Sequence, residues 1–220
     1  MACGSKADTS DSTASSDAKT DVSSQADANA KKIGILQYVQ HPALDKANEG
    51  FVAALKEAGM NVDIEQENAG GEQSAAQTIA NKLVNDKKDL ILVIATPAAQ
   101  AVAGATSDIP VVITAVTDPA ESGLVDSNEK PGGNVTGSSD LTPVADQIEL
   151  LTKILPEAKN VGILYCTAEA NSKLQAGLAM DALKAKGLNG VEYTVSSSNE
   201  IQSVVESMVG KVDAIYVPTD

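Results

Sequence analysis

From Lys31 onward, short aliphatic runs alternate with stretches whose apolar residues recur at helical spacing. IGIL at 33–36, LILVI at 90–94, VVIT at 111–114 and VGILYC at 161–166 are β-branched-rich and bounded by turn residues, the pattern of buried strands. Strands are expected near 33–38, 61–66, 90–95, 111–115, 160–165, 190–195 and 213–217. Between them lie helical stripes: Leu44, Ala47, Phe51, Leu55 and Ala58; Ala76, Ile79, Leu83 and Val84; Val144, Ile148, Leu151 and Leu155. These apolar stripes are expected to form core. Gly59 and Gly187 stand just past two helices, where a left-handed residue is wanted. Strand-helix-strand connections of this length build parallel sheets with right-handed crossovers.

The pattern occurs twice. KKIGILQYVQ is echoed by KNVGILYCTA, and one constant offset also aligns Leu183 with Leu55, Lys184 with Lys56 and Gly187 with Gly59. DLILVIATP is matched in character by DAIYVPTD. Two such units predict an α/β fold of two Rossmann-like lobes with parallel sheets. The expected division is 1–31 as a tether, 32–139 as the first lobe and 140–220 as the second. The second unit runs out at Pro218-Thr219-Asp220, where a helix should begin, so the second lobe is expected to be incomplete and the sequence a fragment.

Residues 4–30 hold one Val as their only large aliphatic residue and show no periodicity. Such a segment cannot bury enough apolar area to offset its ordering entropy, and reads as an extended linker. Before it, Ala2-Cys3-Gly4-Ser5 resembles the junction at which a bacterial lipoprotein begins its mature chain once the signal peptide is removed. Lipid attachment at Cys3 is therefore expected. Two or more acyl chains there would hold the protein stably to the outer face of the cell membrane.

The 220 residues carry a formal charge of −14, with a pI near 4.4. Nucleic acid and anionic membrane surfaces repel such a chain. No apolar run reaches the roughly 20 residues of a membrane span. Of two cysteines, Cys166 ends a strand-like run and reads as a free buried thiol; neither has a partner at metal-ligand spacing.

Ligands of open parallel α/β sheets bind outside the carboxyl ends of the strands. Those ends carry Tyr38, Gln40, His41 and Pro42; Thr96 in ATPAAQ; Thr114, Thr117 and Asp118; Ser138, Ser139 and Asp140; Thr167, Glu169, Asn171 and Ser172; Ser196 to Ser198; and Thr219 with Asp220. Each is also an ordinary helix cap. Thr96 reads as an N-cap with Pro97 at the first helical position, and such a start offers amides to an anion. No phosphate loop, dinucleotide fingerprint or nucleophile elbow is present. His41, the lone histidine, has no nucleophile nearby in sequence and reads as ligand-lining or loop-packing. No enzyme, cofactor or metal is expected.

Together, IGILQYVQHPALDKANEGF, LILVIATPAAQA, PVVITAVTDP, GNVTGSSD, KNVGILYC and AIYVPTD resemble the substrate-binding lipoproteins of ABC uptake transporters, in particular the tryptophan- and tyrosine-binding family. The resemblance spans about residues 32–220. It implies a periplasmic-binding-protein type I-like fold that closes over a small solute, often an aromatic amino acid, and delivers it to a membrane permease driven by an ATPase. It further implies that Thr96 and the amides of Ala98 and Ala99 hold the α-carboxylate, with hydroxyls from Thr117 and Ser139. Asp118, Glu169 or Asp220 would pair with the ammonium. Tyr38, Gln40 and His41 would line the side-chain pocket, with Asn171 reaching from the second lobe. Tyr38, Tyr165 and Tyr216 are the candidate aromatic platforms. Two rivals remain at this stage: the effector-sensing domain of a regulator, and an α/β enzyme using His41 with a carboxylate.

Overall fold

A computed structural model describes residues 29–219. Its first sheet contains β1 (Lys31–Gln37), β2 (Val62–Asn68), β3 (Leu90–Ile94), β4 (Val111–Val116) and β5 (Val135–Ser139), in the order β2-β1-β3-β4-β5. All four pairings are parallel. The connecting helices are α1 (Pro42–Glu57), α2 (Gln73–Asn85) and α3 (Thr96–Ala105). β1 takes in Lys31, one residue earlier than the expected boundary of the tether.

Strand alternation sends residues to both faces. Leu36, Ile91, Val93, Val111 and Ile113 pack with Ala76, Ala80, Leu83, Ala98 and Val102 of α2 and α3. Ile33, Ile35, Leu92 and Ile94 face the other way, against Leu44, Phe51 and Val52 of α1. Small alanines bring α2 and α3 close to the sheet, and burial of the Leu, Ile and Val side chains packed there is worth roughly 1.5–3 kcal/mol each. Among the described residues α1 buries none fully, and Ala58 is its exposed C-cap. Its stripe is therefore packed on one side but only half-buried, not the closed core expected. Leu155 likewise lies beyond its helix and is exposed.

β5 departs from the sequence expectation, which placed no strand between 115 and 160. Only Val135 of that strand is buried, because β5 is the edge of the sheet and its Gly and Ser residues carry no apolar alternation. Gly137 permits the pairing: a Cβ there would lie 2.0 Å from Ile113 O.

The second sheet contains β6 (Asn160–Cys166), β7 (Asn189–Val195) and β8 (Ala214–Tyr216), in the parallel order β7-β6-β8. α4 (Val144–Ile154), α5 (Ala170–Ala185) and α6 (Ile201–Met208) accompany it. Val144, Ile148, Val161, Ile163, Ala176, Ala179 and Leu183 form its core. The order β7-β6-β8 repeats β2-β1-β3, so the internal repeat of the sequence is a repeat of topology. Each copy uses an aspartate to tie its third strand to its first. Asp89 Oδ2 accepts the Lys32 N–H at 2.8 Å, and Asp213 Oδ2 accepts those of Lys159 and Asn160, both at 2.8 Å.

Candidate functional site

The carboxyl ends of β3 and β4 hold two strained residues. Ala95 has φ 86° and ψ 150°, and Ala115 has φ 53°. Alanine in such conformations costs about 1–3 kcal/mol, and strain of this kind gathers at ligand sites. Ala95 makes the turn from β3 into α3, and its N–H donates to Thr114 O at 3.1 Å. Ala115 sits in the register shift between Ile113 and Val116. The two kinks bring Thr96 to Thr117, whose N–H donates to Thr96 Oγ1 at 3.5 Å. Both threonines are buried.

This geometry corrects the expected cap. Ala95, not Thr96, is the N-cap of α3, and Pro97 follows Thr96 inside the first turn. The helix starts one residue early because Ala95 absorbs the turn, leaving the Thr96 hydroxyl to reach across to β4. The first helical bond runs from Ala99 N–H to Ala95 O at 3.0 Å. The Ala99 amide is therefore spent within α3. The amides of Thr96 and Ala98 precede that bond and belong to the positive end of the helix. The Ala98 and Ala99 side chains are core.

At the end of β5, Ser139 Oγ donates to Thr117 O at 2.6 Å and accepts the Leu141 N–H at 3.2 Å. Its hydroxyl is thus committed to the corner it was expected to serve from. The next residue, Asp140, donates its N–H to Val116 O at 3.0 Å. Burial pushes the pKa of its carboxyl up, against smaller lowering effects of its own N–H and of the Thr117 hydroxyl. Its Oδ1 is buried without a hydrogen-bond partner. The sequence places Asp140 at a strand end but gives no reason to single it out. The missing signal was β5 itself, whose register with β4 sets Asp140 beside Thr117.

Asp118 Oδ1 accepts from Ala120 N–H at 3.1 Å, Glu121 N–H at 3.2 Å and Asn128 Nδ2 at 3.0 Å. This carboxylate orders its own loop. After β1, Tyr38 is 9% exposed and joins the core rather than standing free to line a pocket. His41 is the N-cap of α1, its Nδ1 accepting the Ala43 N–H at 3.2 Å. Gln40 and His41 are both exposed. Gln37, not anticipated, is buried there instead. It donates from Nε2 to Asp45 Oδ1 at 2.7 Å and Val39 O at 2.9 Å, and accepts from Asn48 Nδ2 at 3.3 Å.

On the second sheet, the first turns of α5 bury Asn171, Ser172 and Gln175. Gln175 Nε2 donates to Thr219 O at 2.8 Å, and Asn171 Nδ2 lies 3.5 Å from the same oxygen. Asn171 Oδ1 is buried without a partner. Glu169 is the N-cap of α5. Tyr165 packs into the second core with its hydroxyl donating to Glu192 Oε1 at 3.2 Å, and Tyr216 donates to Gln147 Oε1 at 2.8 Å. The candidate ring platforms are thus packed into the cores. Cys3 and Asp220 lie outside the described residues. Helices α3 and α5, which start at these two surfaces, touch.

Among the described residues no cluster of His, Cys, Asp and Glu is arranged for a metal ion, and no helix is long and apolar enough to cross a membrane. A cavity of about 110 Å³ beside β5 touches Ser139 but not Thr96, Thr117 or Asn171.

A model of the ABC transporter substrate binding protein family matches residues 32–220. The chain belongs to this family. A tyrosine-binding protein of Clostridioides difficile (strain R20291) is 48% identical over 194 residues, which is 86% of this chain and 56% of the relative. The chain is also similar to solved structures. The ABC domain of Streptococcus pneumonia in complex with L-Trp is 45% identical with a TM-score of 0.82, over 86% of this chain and 65% of that one. A ligand-free, open substrate-binding protein with adhesive properties from Clostridium difficile is 48% identical with a TM-score of 0.63, over 87% and 66%. The chain spans a little over half the length of the curated tyrosine-binding relative. Its fold is that of the type I periplasmic binding proteins, a leucine binding protein of Thermotoga maritima among them at a TM-score of 0.66.

Proposed function

We propose that this chain is the ligand-binding part of an extracytoplasmic receptor for ABC uptake, taking an amino acid with an aromatic side chain between a lobe at 32–139 and a lobe at 140–220. The observation that carries the reading is the Thr96–Thr117 corner, built on two strained alanines at the carboxyl ends of β3 and β4. Thr96 and Ala98 offer amides at the start of α3, where the helix dipole favours a carboxylate. The sequence contains no arginine, so dipoles and hydroxyls take the place of a guanidinium. A zwitterion leaves water only if both charges are met by hydrogen bonds. A micromolar affinity asks for about −8 kcal/mol net.

The relatives support the choice of ligand: one is a tyrosine-binding protein and one holds L-Trp. The match to the L-Trp complex is closer than that to the open, ligand-free relative at nearly equal coverage. Asn171 and the start of α5 would close on the ligand from the second lobe, and closure would signal occupancy to the permease and its ATPase. Lipid on Cys3 would keep the receptor at the membrane. His41 serves α1 as a cap, and the reading includes no chemical turnover.

Native mass spectrometry of the full-length protein with an equimolar panel of amino acids tests this. The expected spectrum shows one adduct with the unaltered mass of tryptophan, tyrosine or phenylalanine. Retention of no amino acid, or release of a chemically changed one, contradicts it.

A further inference from the structure

The described residues contain three buried side-chain atoms without hydrogen-bond partners: Asn48 Oδ1, Asp140 Oδ1 and Asn171 Oδ1. All three are oxygens, so each lacks a donor. A buried acceptor left without a donor is costly, and native proteins keep such groups where something else supplies the partner. Turning an asparagine amide exchanges its oxygen for a nitrogen, so the two asparagines can adapt to either kind of neighbour. Asp140 has no such freedom: turning its carboxylate exchanges one acceptor for another.

Asp140 has no cation of the protein's own. None of the ion pairs among the described residues includes it. It is nevertheless held firmly. Its N–H is bonded to Val116 O at the end of β4, which sets it directly beside Thr117. Thr117 in turn meets Thr96 at the start of α3. The corner thus joins a helix start suited to an anion with a carboxylate short of a donor. An α-amino acid carries these two charges on adjacent groups. The other carboxylates expected to serve the ammonium are placed differently: Asp118 is engaged by three donors of its own loop, Glu169 stands at the N-cap position of α5 beside the second sheet without a side-chain bond to that helix, and Asp220 lies outside the described residues.

We infer that Asp140 receives the ligand's ammonium group, and is the residue by which this chain separates amino acids from acids of the same skeleton that lack the amine. The inference rests on the amino-acid reading above and assigns its cationic subsite. In the empty protein the half-buried carboxylate, with Oδ1 short of a donor and no cation paired with it, is unfavourable, which is the sense in which burial raises its pKa. Bound ammonium supplies the missing donor and the missing charge together. An acid without the amine leaves Oδ1 as it was and brings a second negative charge beside it.

The test compares L-tryptophan with indole-3-propionic acid, its deaminated analogue, in full-length wild type, Asp140→Asn, Asp140→Glu and Asp118→Asn. Wild type is expected to prefer tryptophan by at least ~30-fold, the scale of a lost charge-assisted hydrogen bond. Asp140→Asn is expected to lose about that factor for tryptophan while indole-3-propionic acid changes less than about threefold. Asp140→Glu, with the charge kept, should retain most of the preference. The thermal midpoint of Asp140→Asn should equal or exceed that of wild type, separating lost recognition from lost folding. An unchanged preference in Asp140→Asn overturns the inference, as does an equal loss of both ligands or a loss of preference that falls on Asp118→Asn instead. If wild type binds tryptophan and Asp140→Asn behaves like it, only the subsite is wrong. If wild type binds neither tryptophan nor any other amino acid, the receptor reading fails and takes the subsite with it.

Discussion

The Thr117 N–H donates to Thr96 Oγ1 at 3.5 Å, joining the turn after β4 to the first residue of α3. The contact is long for a hydrogen bond, and it spans two elements that the chain could have left apart. It exists because Ala95 and Ala115 accept conformations unusual for alanine. Thr96→Val removes the hydroxyl at nearly constant volume and leaves a buried N–H unmet. Amino-acid affinity should fall by about tenfold or more, with a loss of stability on the order of 1 kcal/mol. Thr96→Ser should retain most of both. Calorimetric titration with thermal unfolding of the three proteins checks this.

The strained alanines give a second expectation. Gly at position 95 would relieve a conformation that only glycine adopts readily, but it would also free the unfolded chain. The two effects oppose, and Ala95→Gly should change stability by less than about 1 kcal/mol. A bulky β-branched residue has no such escape. Ala95→Val should destabilise by more than about 2 kcal/mol, measured by denaturant unfolding.

Gly137 makes the edge strand possible. A Cβ there would meet Ile113 O at 2.0 Å and Ile113 N at 2.7 Å, and both are backbone atoms that cannot rotate away. Gly137→Ala should therefore open the β4–β5 pairing and displace Ser139 and Asp140 with it. The expected loss is roughly 2 kcal/mol or more, together with loss of ligand binding. Gly162 is the contrast: its nearest neighbour is the Met208 Cε, the end of a flexible side chain. Gly162→Ala should cost less than Gly137→Ala in the same unfolding assay.

Acid unfolding should report on the surface of β2. Glu65 is paired with Lys82 and Lys88, and the hydrogen bond from Lys82, followed by that from Lys88, lowers its pKa to about 2. A carboxylate with a lowered pKa adds stability above its unfolded value, near 4.5, and that stability is lost as pH falls toward 2. Solvent screening at this open site limits the effect to about 1 kcal/mol. Glu65→Gln should flatten the fall in stability between pH 4.5 and 2, lowering the neutral-pH value by about 1 kcal/mol and leaving the value at pH 2 little changed. Lys88 is the more enclosed cation, with 8% side-chain exposure against 48% for Lys82. Lys88→Ala should accordingly cost more than Lys82→Ala.

Much of this fold was legible because apolar burial writes itself into the sequence. LILVI is buried on both faces and could hardly be anything but a central strand. The repeat of Ile33 in Val161 and of Asp89 in Asp213 gave the second sheet its order. β5 was illegible for the same reason in reverse: an edge strand of Gly, Ser and Thr buries only Val135, so no alternation marks it. The site followed suit. Thr96 and Thr117 were found because they follow readable strands. Asp140 was noted at a strand end but given no role, because nothing in the sequence shows that β5 pairs with β4 and sets it beside Thr117; Gln37 was missed because a polar side chain within a strand pattern reads as surface. The tyrosines misled: aromatic rings near strand ends were free to enter the cores, and Tyr38, Tyr165 and Tyr216 did.

The central claim is that the carboxyl-end surface receives an aromatic amino acid. Residues 1–220 contain no tryptophan, so on excitation at a wavelength where tyrosine is silent they add nothing to the emission of bound L-tryptophan, which is read against the same protein without ligand. Titrating L-tryptophan into the full-length protein should give a saturable blue shift at micromolar concentrations, weakened at least about tenfold in Thr96→Val. An emission spectrum that stays at its free-solution position at every protein concentration, with tyrosine and phenylalanine failing in turn to raise the thermal midpoint, would contradict the account.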